Sequence, residues 1–109
     1  MTYLITADQL GISEAGPGKN LMNNFLHALT QLPTAPDALL LVNTGVRLAT
    51  EGSDALDDLK SLSEHGSAIL SCGMCLNYYG LTDSLCVGKV SNMLEITGIL
   101  TSATSTVTL

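Results

Sequence analysis

The sequence predicts an α/β fold in which a parallel sheet carries helices on both faces. Short apolar runs of strand length alternate along the 109 residues with segments whose apolar residues recur at helical spacing. One run, Leu39-Leu40-Leu41-Val42, is apolar at every position, which is typical of a strand covered on both faces. Strands that alternate with helices form right-handed βαβ units. A chain of this length builds one core, so we expect a single domain over residues 1–109.

Two strands and one helix are predicted in the first half of the chain. Residues 3–6 form a short apolar run, and residues 39–42 form a second strand that Asn43-Thr44-Gly45 ends. A loop rich in Gly, Ser and Pro covers residues 8–18. The helix is predicted over residues 19–32, where Pro33 stops it. Its apolar stripe consists of Leu21, Met22, Phe25, Leu26, Leu29 and Leu32.

A second helix and a third strand follow. The helix is predicted over residues 53–65, with Ser53 as its N-cap and Gly66 as the residue that ends it. The strand is predicted over residues 67–71, directly before a segment that contains two cysteines. Tyr78-Tyr79, at the far end of that segment, is expected in a short helix or turn.

The last quarter of the chain is predicted to contain two strands and one helix. Cys86-Val87 is interpreted as part of a short fourth strand. Ser91 is expected to cap a helix with apolar residues between positions 93 and 100, although Gly98 weakens its helical propensity. Residues 106–109 alternate and are expected to form a final strand at the sheet edge.

The charge balance excludes several classes of function. The formal net charge is −6, and the chain has only four Lys and Arg residues, so no basic surface is available for nucleic acid. No apolar run approaches the roughly 20 residues that cross a bilayer, and no secretory signal is recognisable at the N-terminus. We therefore expect a cytoplasmic protein that binds neither nucleic acid nor membrane.

The reactive side chains are concentrated in the segment Cys72-Gly73-Met74-Cys75, which follows the third predicted strand. Ligands bind parallel α/β sheets beyond the carboxyl ends of the strands, where residues 8–18, 43–52 and 72–81 are expected to meet. A thiol at the start of a turn or helix near unpaired N–H groups has a lowered pKa, and the thiolate is the nucleophile in sulfur transfer and disulfide exchange. The alternative is a pair of partly buried, inert thiols.

Other cysteine chemistries fit the pattern less well. A structural zinc site needs four ligands, and Cys86, His27 and His65 do not supply a second closely spaced pair. Thioredoxin-like exchange places its motif after the first strand, whereas this one follows the third. A Cys/His hydrolase pair requires one of the two histidines beside Cys72. The third cysteine, Cys86, is expected to be a buried core residue.

A phosphate-binding loop is also excluded. Gly18-Lys19 would end such a motif, but the position of its first glycine is Ser13 and the residue after the lysine is Asn20.

The cysteine segment resembles that of the DsrE-like sulfur-relay proteins, which include YchN-like proteins. Their pattern of Cys-Gly-x-Cys, four residues and Gly-Leu matches Cys72 to Leu81. The resemblance to the C-terminal domain of YedF-like proteins is greater. Its marks are Leu21-Met22, Phe25-Leu26, Asn43-Thr44-Gly45-Val46, Thr50-Glu51-Gly52-Ser53, Ser71-Cys72-Gly73, Val87-Gly88 and Ser91-Asn92-Met93.

This resemblance implies a three-layer α/β/α sandwich with a five-stranded, mainly parallel sheet, assembled as a homo-oligomer, a trimer or hexamer. It implies that Cys72, eight residues before Gly80, carries sulfur as a persulfide, with Cys75 as a second thiol of open role. No metal, nucleotide or other cofactor is required. YedF-like proteins often carry an N-terminal TusA-like domain that this sequence does not contain. It is therefore expected to be either an isolated domain or a protein that receives sulfur from a separate, TusA-like donor. A link to selenium metabolism is implied by genomic association.

Two further hypotheses stay open beside the sulfur carrier. The first is a non-catalytic oligomeric module that binds a partner or senses redox state. The second is a structural zinc site. In the sulfur-carrier hypothesis, Asn43, Thr44 and Asn77 are candidate donors around the thiol because of their positions.

Overall fold

The computed structural model describes residues 1–12 and 14–109. Within them, five strands form one sheet in the order β4-β3-β2-β1-β5, and every neighbouring pair is parallel. The strands are β1 (Thr2–Ile5), β2 (Ala38–Leu41), β3 (Ala68–Cys72), β4 (Lys89–Ser91) and β5 (Thr106–Thr108). The sheet is thus wholly parallel, and its last strand lies at an edge as predicted.

Four helices complete the fold, together with two short 3-10 segments. The helices are α1 (Gly18–Gln31), α2 (Leu56–Glu64), α3 (Gly73–Tyr78) and α4 (Met93–Ser102), and the 3-10 segments are Asn43–Ala49 and Thr82–Ser84. Strands β1 to β4 step in one direction across the sheet, whereas β5 returns to the opposite edge. Right-handed crossovers therefore place α4 on the face opposite the other helices. This arrangement is the predicted α/β/α sandwich.

The core lies around β2, in which all four residues are buried. The helical stripe predicted in α1 is buried at Met22, Leu26 and Leu29, and it faces the sheet as the spacing required. The apolar positions of α2 are buried at Leu59 and Leu62. No helix in the described residues is long and apolar enough to span a membrane.

The predicted fourth strand was misplaced. Cys86-Val87 precedes β4 and forms no part of it, since β4 consists of Lys89–Ser91. Two of these three residues are exposed and only Val90 is apolar, so the edge strand carries little of the apolar signal on which the prediction relied. Val87 is buried although it lies outside the strand, which explains why its segment looked like one.

Two helix starts also differ from the prediction. Helix α2 begins at Leu56, because Ser53 Oγ accepts a hydrogen bond from Ala55 N–H in the turn before the helix. Helix α4 is capped by Asn92, whose side-chain oxygen accepts a 2.9 Å hydrogen bond from Glu95 N–H. The hydroxyl of Ser91, the predicted cap, donates to the Glu95 carboxylate. Together these bonds satisfy a backbone donor in the first turn and orient Glu95.

The 3-10 segment Asn43–Ala49 was not predicted, and it brings the end of β2 over the end of β1. Its Gly45 lies so close to the Ile5 carbonyl that a Cβ atom at this position would overlap that oxygen. Within the segment, the side chains of Val46, Leu48 and Ala49 are buried. This packing determines where Asn43 and Arg47 lie relative to the cysteine segment.

Candidate functional site: a thiol pocket

The cysteine segment lies at the junction of β3 and α3. Cys72 is the last residue of β3 and the N-cap of α3, so the predicted strand-to-helix placement is confirmed. The helix begins at Gly73, where a Cβ atom would lie 3.0 Å from Val90 Cγ1 and 3.2 Å from the Ser91 carbonyl oxygen. Glycine therefore lets the start of α3 pack against β4, and this contact directs the next turn of the helix.

The two thiols differ in their access to solvent. Cys72 is only 1% exposed, whereas Cys75 is half-buried and lines a pocket of about 280 Å³. The other residues that line the pocket are Asn43, Met74, Tyr78 and Tyr79. Leu76, which follows Cys75, is fully buried and anchors α3 in the core. In this conformation, a reagent from solvent meets Cys75 and not Cys72.

The main chain of Asn43 contacts the Cys75 sulfur directly. The Asn43 N–H donates to Cys75 Sγ over an N–S distance of 3.1 Å. Asn43 has a φ of 54°, and it is the only described residue other than glycine with a positive φ. Asparagine adopts this left-handed conformation more readily than most residues. An uncommon backbone conformation therefore accompanies the donor beside the accessible thiol.

A chain of side-chain contacts extends from Asn43. The Tyr79 hydroxyl donates a 3.0 Å hydrogen bond to Asn43 Oδ1. The Arg47 guanidinium lies over the Tyr79 ring, 4.6 Å from its centroid, a favourable cation–π geometry. Tyr78 packs edge-on against Tyr79, with ring centroids 5.1 Å apart. Both tyrosine rings are therefore held at the pocket wall.

The pKa of the Cys75 thiol is raised from its ordinary value. Burial is the main cause, since it disfavours the charged thiolate. The Asn43 N–H opposes this by stabilising the thiolate, while the neighbouring Cys72 thiol raises the pKa further. A lowered pKa was expected for a thiol at the start of the helix; for Cys75, in the first turn of α3, the pKa shifts in the opposite direction. Because Cys72 acts on this pKa through a side-chain hydrogen bond and through charge, the two thiols lie close together.

The other predicted candidates are placed differently. Thr44 accepts a hydrogen bond from Asp8 N–H at 3.3 Å, and Asn77 is exposed and does not line the pocket. Cys86 is exposed, so the prediction of a buried core cysteine was wrong. It directly follows Leu85, which forms an isolated antiparallel bridge with Thr50. Tyr79 and Arg47 were missed, because their roles depend on contacts that join separate elements.

Neither histidine joins the thiol pocket. His27 on α1 contacts Asp58 on α2, with 3.0 Å between Nδ1 and Oδ1, and His65 bonds to the Ser61 carbonyl in its own helix. In the described part of the chain, no three His, Cys, Asp or Glu side chains are positioned to hold a metal ion.

Comparisons with known proteins connect the chain to solved structures alone. No protein-family model matches the sequence, and no curated protein matches it significantly. The crystal structure of the YchN protein from E. coli superposes with a TM-score of 0.74 at 16% identity, covering 99% of this chain and 97% of that one. The protein MTH1491 from Methanobacterium thermoautotrophicum, described as of unknown function, gives 0.68 at 18% identity, with 99% and 96% covered.

A third structure, the conserved protein of unknown function BT1422 from Bacteroides thetaiotaomicron, is more distant. Its TM-score is 0.61 at 11% identity, with 99% of this chain and 93% of that one covered. All three likenesses span nearly the whole of both chains, so the fold is shared from end to end. The chain therefore has the fold of YchN and MTH1491, and the YchN-like fold implied by the resemblance of its cysteine segment is confirmed.

Proposed function

We propose that this chain is a sulfur carrier that holds sulfane sulfur as a cysteine persulfide in the segment from Cys72 to Cys75. The observation that carries the proposal is a thiol in an open pocket with a main-chain N–H donor on its sulfur. The Cys75 thiolate attacks the terminal sulfur of a donor persulfide, R–S–SH. A new S–S bond forms on Cys75, the S–S bond of the donor breaks, and the donor leaves as the thiolate R–S⁻.

The accessible thiol is the better candidate for meeting the donor. The family resemblance assigns the persulfide to Cys72, but that sulfur is buried, and Cys75 lies beside it at the pocket. We therefore assign entry to Cys75 and a second position to Cys72. The Cys72 thiolate attacks the terminal sulfur of the Cys75 persulfide, which moves the sulfur inward and restores the Cys75 thiolate. Persulfide on Cys72 is then protected from solvent.

Intact-mass analysis of four proteins tests these assignments. The wild type and the Cys72→Ser, Cys75→Ser and Cys86→Ser variants are incubated with a persulfide donor. We expect a mass increase of one sulfur atom in the wild type and in Cys72→Ser, and no increase in Cys75→Ser. Cys86→Ser is the matched control, because Cys86 is an exposed cysteine outside the pocket. It should load like the wild type.

The alternative results are equally informative. Loading of Cys75→Ser but not of Cys72→Ser would assign entry to Cys72 and require an opening of the start of α3. Loading that survives in the double variant of Cys72 and Cys75 would overturn the proposal. A donor with selenium in the terminal position, R–S–SeH, tests the implied link to selenium, because the same exchange leaves one added selenium atom. Incubation with a TusA-like protein that carries a persulfide tests the donor that the resemblance implies.

The pocket also supports the proposal of a homo-oligomer, as either a trimer or a hexamer. Met74 and Tyr78 line the pocket and are 74% and 80% exposed. Val90, which approaches Gly73, is exposed, as are Met93 and Leu94 at the start of α4. A second copy seated over Met74 and Tyr78 would cover the open side of the Cys75 pocket. Burial of these side chains supplies the driving force for association.

Light scattering combined with size exclusion tests the oligomer. Met74→Glu places a charge on the proposed interface and should yield monomers. Leu32→Glu is the control, because Leu32 is also an exposed apolar residue but lies beyond the end of α1, away from the pocket. A wild-type protein that is monomeric at all concentrations contradicts the assembly and leaves the persulfide test unaffected.

One observation favours the second hypothesis, a non-catalytic binding or redox-sensing module. Because the pKa of Cys75 is raised, less of the thiol is ionised at neutral pH and its attack is slowed. The pH dependence of alkylation distinguishes the two functions. A module without sulfur transfer is expected to show slow alkylation of Cys75 and no persulfide loading. A carrier is expected to accept persulfide sulfur despite the raised pKa.

A further inference from the structure

A second cavity lies on the other side of Arg47 from the thiol pocket. It measures about 330 Å³, within the lower part of the range for small-molecule sites. It opens where β1 and β2 end, the position at which α/β sheets bind ligands. The charged residues that line it come from the segment after β1, from α1, from the 3-10 segment and from the turn that follows that segment.

Charged side chains of both signs surround this cavity without pairing. Among the described residues, the only ion pairs join Met1 to Asp37 and His27 to Asp58. The five charged residues of the cavity are thus unpaired: Lys19, Arg47, Asp8, Glu51 and Asp54. The two cations are half of all Lys and Arg in a chain of net charge −6. The cavity thus offers cationic groups to a negative part of a ligand and carboxylates to a positive part.

The backbone beneath these side chains is held in place. Asp8 N–H donates to Thr44 Oγ1, which ties the segment after β1 to the 3-10 segment. Glu51 N–H donates a 2.9 Å hydrogen bond to the Ser84 carbonyl. Gly52 follows with a φ of 89°, and Ser53 N–H closes the turn onto the Thr50 carbonyl. The charged groups consequently extend from a fixed rim around a floor of buried Leu48 and Thr50.

We propose that this cavity binds a small zwitterion that carries both a carboxylate and an ammonium group, an amino acid or a short peptide. The carboxylate is bound by Lys19 and Arg47, and the ammonium group by the carboxylates of Asp8, Glu51 and Asp54. Both signs of charge are needed, because a lone anion leaves three carboxylates unpaired and a lone cation leaves two bases unpaired. Binding is independent of persulfide chemistry and goes beyond the proposed sulfur carrier.

The two cavities share one residue. Arg47 lines the charged cavity, and its guanidinium also lies over Tyr79, which lines the thiol pocket. A ligand carboxylate bound to Arg47 is therefore separated only by the Arg47 side chain from Tyr79, which hydrogen-bonds to Asn43. Occupancy of the charged cavity is expected to alter the resonances of Tyr79 as well as those of its own walls.

Titration of the full chain by ¹H–¹⁵N NMR tests the site. The probe is S-methyl-L-cysteine, a zwitterion that cannot exchange sulfur. Saturable shifts are expected at the amides of Glu51, Gly52 and Asp54, with a dissociation constant below about 10 mM. Acetate and methylammonium, each with one of the two charges, should bind at least about tenfold more weakly, because linking two groups raises their effective concentration.

Matched variants locate the binding. Lys19→Gln and Glu51→Gln each remove one cavity charge at an exposed position and should weaken binding about tenfold, consistent with loss of one charge-assisted hydrogen bond. Lys60→Gln and Glu64→Gln are the controls, because both residues are exposed on α2 outside the cavity. They should bind like the wild type. Absence of saturable shifts, or equal weakening by all four variants, overturns the proposal.

Discussion

The main-chain N–H of Asn43 lies 3.1 Å from the sulfur of Cys75, which joins the end of β2 to the first turn of α3. The contact spans 32 residues of sequence and exists because β2 and β3 are parallel neighbours whose carboxyl ends meet. It is a donor aimed at the sulfur, so it stabilises negative charge there. The same donor is available to the charge that a persulfide carries once it has lost its proton.

Substitution of Asn43 separates the backbone contribution from the side chain. Asn43→Gly retains the positive φ without strain, whereas Asn43→Ala pays the left-handed penalty of about 1 kcal/mol. We expect Asn43→Ala to be less stable than Asn43→Gly by about this amount in urea unfolding. Both variants keep the left-handed backbone and its N–H donor, so the pKa of Cys75 should stay near the wild-type value in both. Equal stability of the two variants would falsify the role of φ.

Removal of the Tyr79 hydroxyl tests the support of Asn43. Tyr79→Phe loses the bond to Asn43 Oδ1 but keeps the ring beneath Arg47. We expect a loss of about 0.5–1 kcal/mol in unfolding free energy, since the bond is partly exposed. Tyr78→Phe is the matched control, because the Tyr78 ring packs on Tyr79 and its hydroxyl bonds to no described residue. If the two variants lose the same stability, the Tyr79 bond does not contribute.

The layers, the parallel pairing and helix α1 could be predicted because they depend on burial patterns that sequence records directly. The stripe of Met22, Leu26 and Leu29 is buried, and the predicted helix bounds differ by only one residue at each end. The gathering of the second and third strand ends was also predicted, and it is what brings Asn43 to Cys75.

The remaining parts of the site have no local signal. The side chain of Asn43 accepts a hydrogen bond from Tyr79, a residue 36 positions away, and no spacing rule records this contact. Burial separates Cys72 from Cys75, although both are cysteines in one short motif. Strand β4 was misplaced because an exposed edge strand needs few apolar residues. Contacts between distant elements therefore limit what the sequence predicts about the pocket.

The close approach of Gly45 to Ile5 predicts a severe effect of a single methyl group. A Cβ atom in Gly45→Ala overlaps the Ile5 carbonyl, which is backbone and cannot move aside alone. We expect a loss of about 2 kcal/mol or more, together with displacement of the 3-10 segment and faster alkylation of Cys75. Gly98→Ala is the control. Nothing lies within 4 Å of its Cβ position inside α4, so it should gain up to about 1 kcal/mol.

Ser71 carries a hydroxyl that is expected to cost stability. Its side chain is fully buried, and its Oγ has no hydrogen-bond partner among the described residues. Ser71→Ala should therefore stabilise the fold by about 1 kcal/mol, because the desolvated hydroxyl is removed. Ser67→Ala is the opposite case, since Ser67 is also buried but its hydroxyl donates a 2.6 Å hydrogen bond to the Pro36 carbonyl. That variant should lose about 1 kcal/mol of unfolding free energy. Thermal unfolding should therefore show a higher melting temperature for Ser71→Ala and a lower one for Ser67→Ala than for the wild type.

The raised pKa of Cys75 predicts a loss of stability at alkaline pH. The folded chain binds the thiol proton more tightly than the unfolded chain does, because burial disfavours the thiolate. The stability that this contributes is complete below the unfolded pKa of about 8.5 and is lost as pH rises through the folded pKa. Urea unfolding under reducing conditions should show a larger loss between about pH 7 and pH 10 for the wild type than for Cys75→Ser. Cys86→Ser should follow the wild type, since that thiol is exposed. An equal loss in the wild type and Cys75→Ser would show that the fold does not hold the Cys75 thiol in its protonated form.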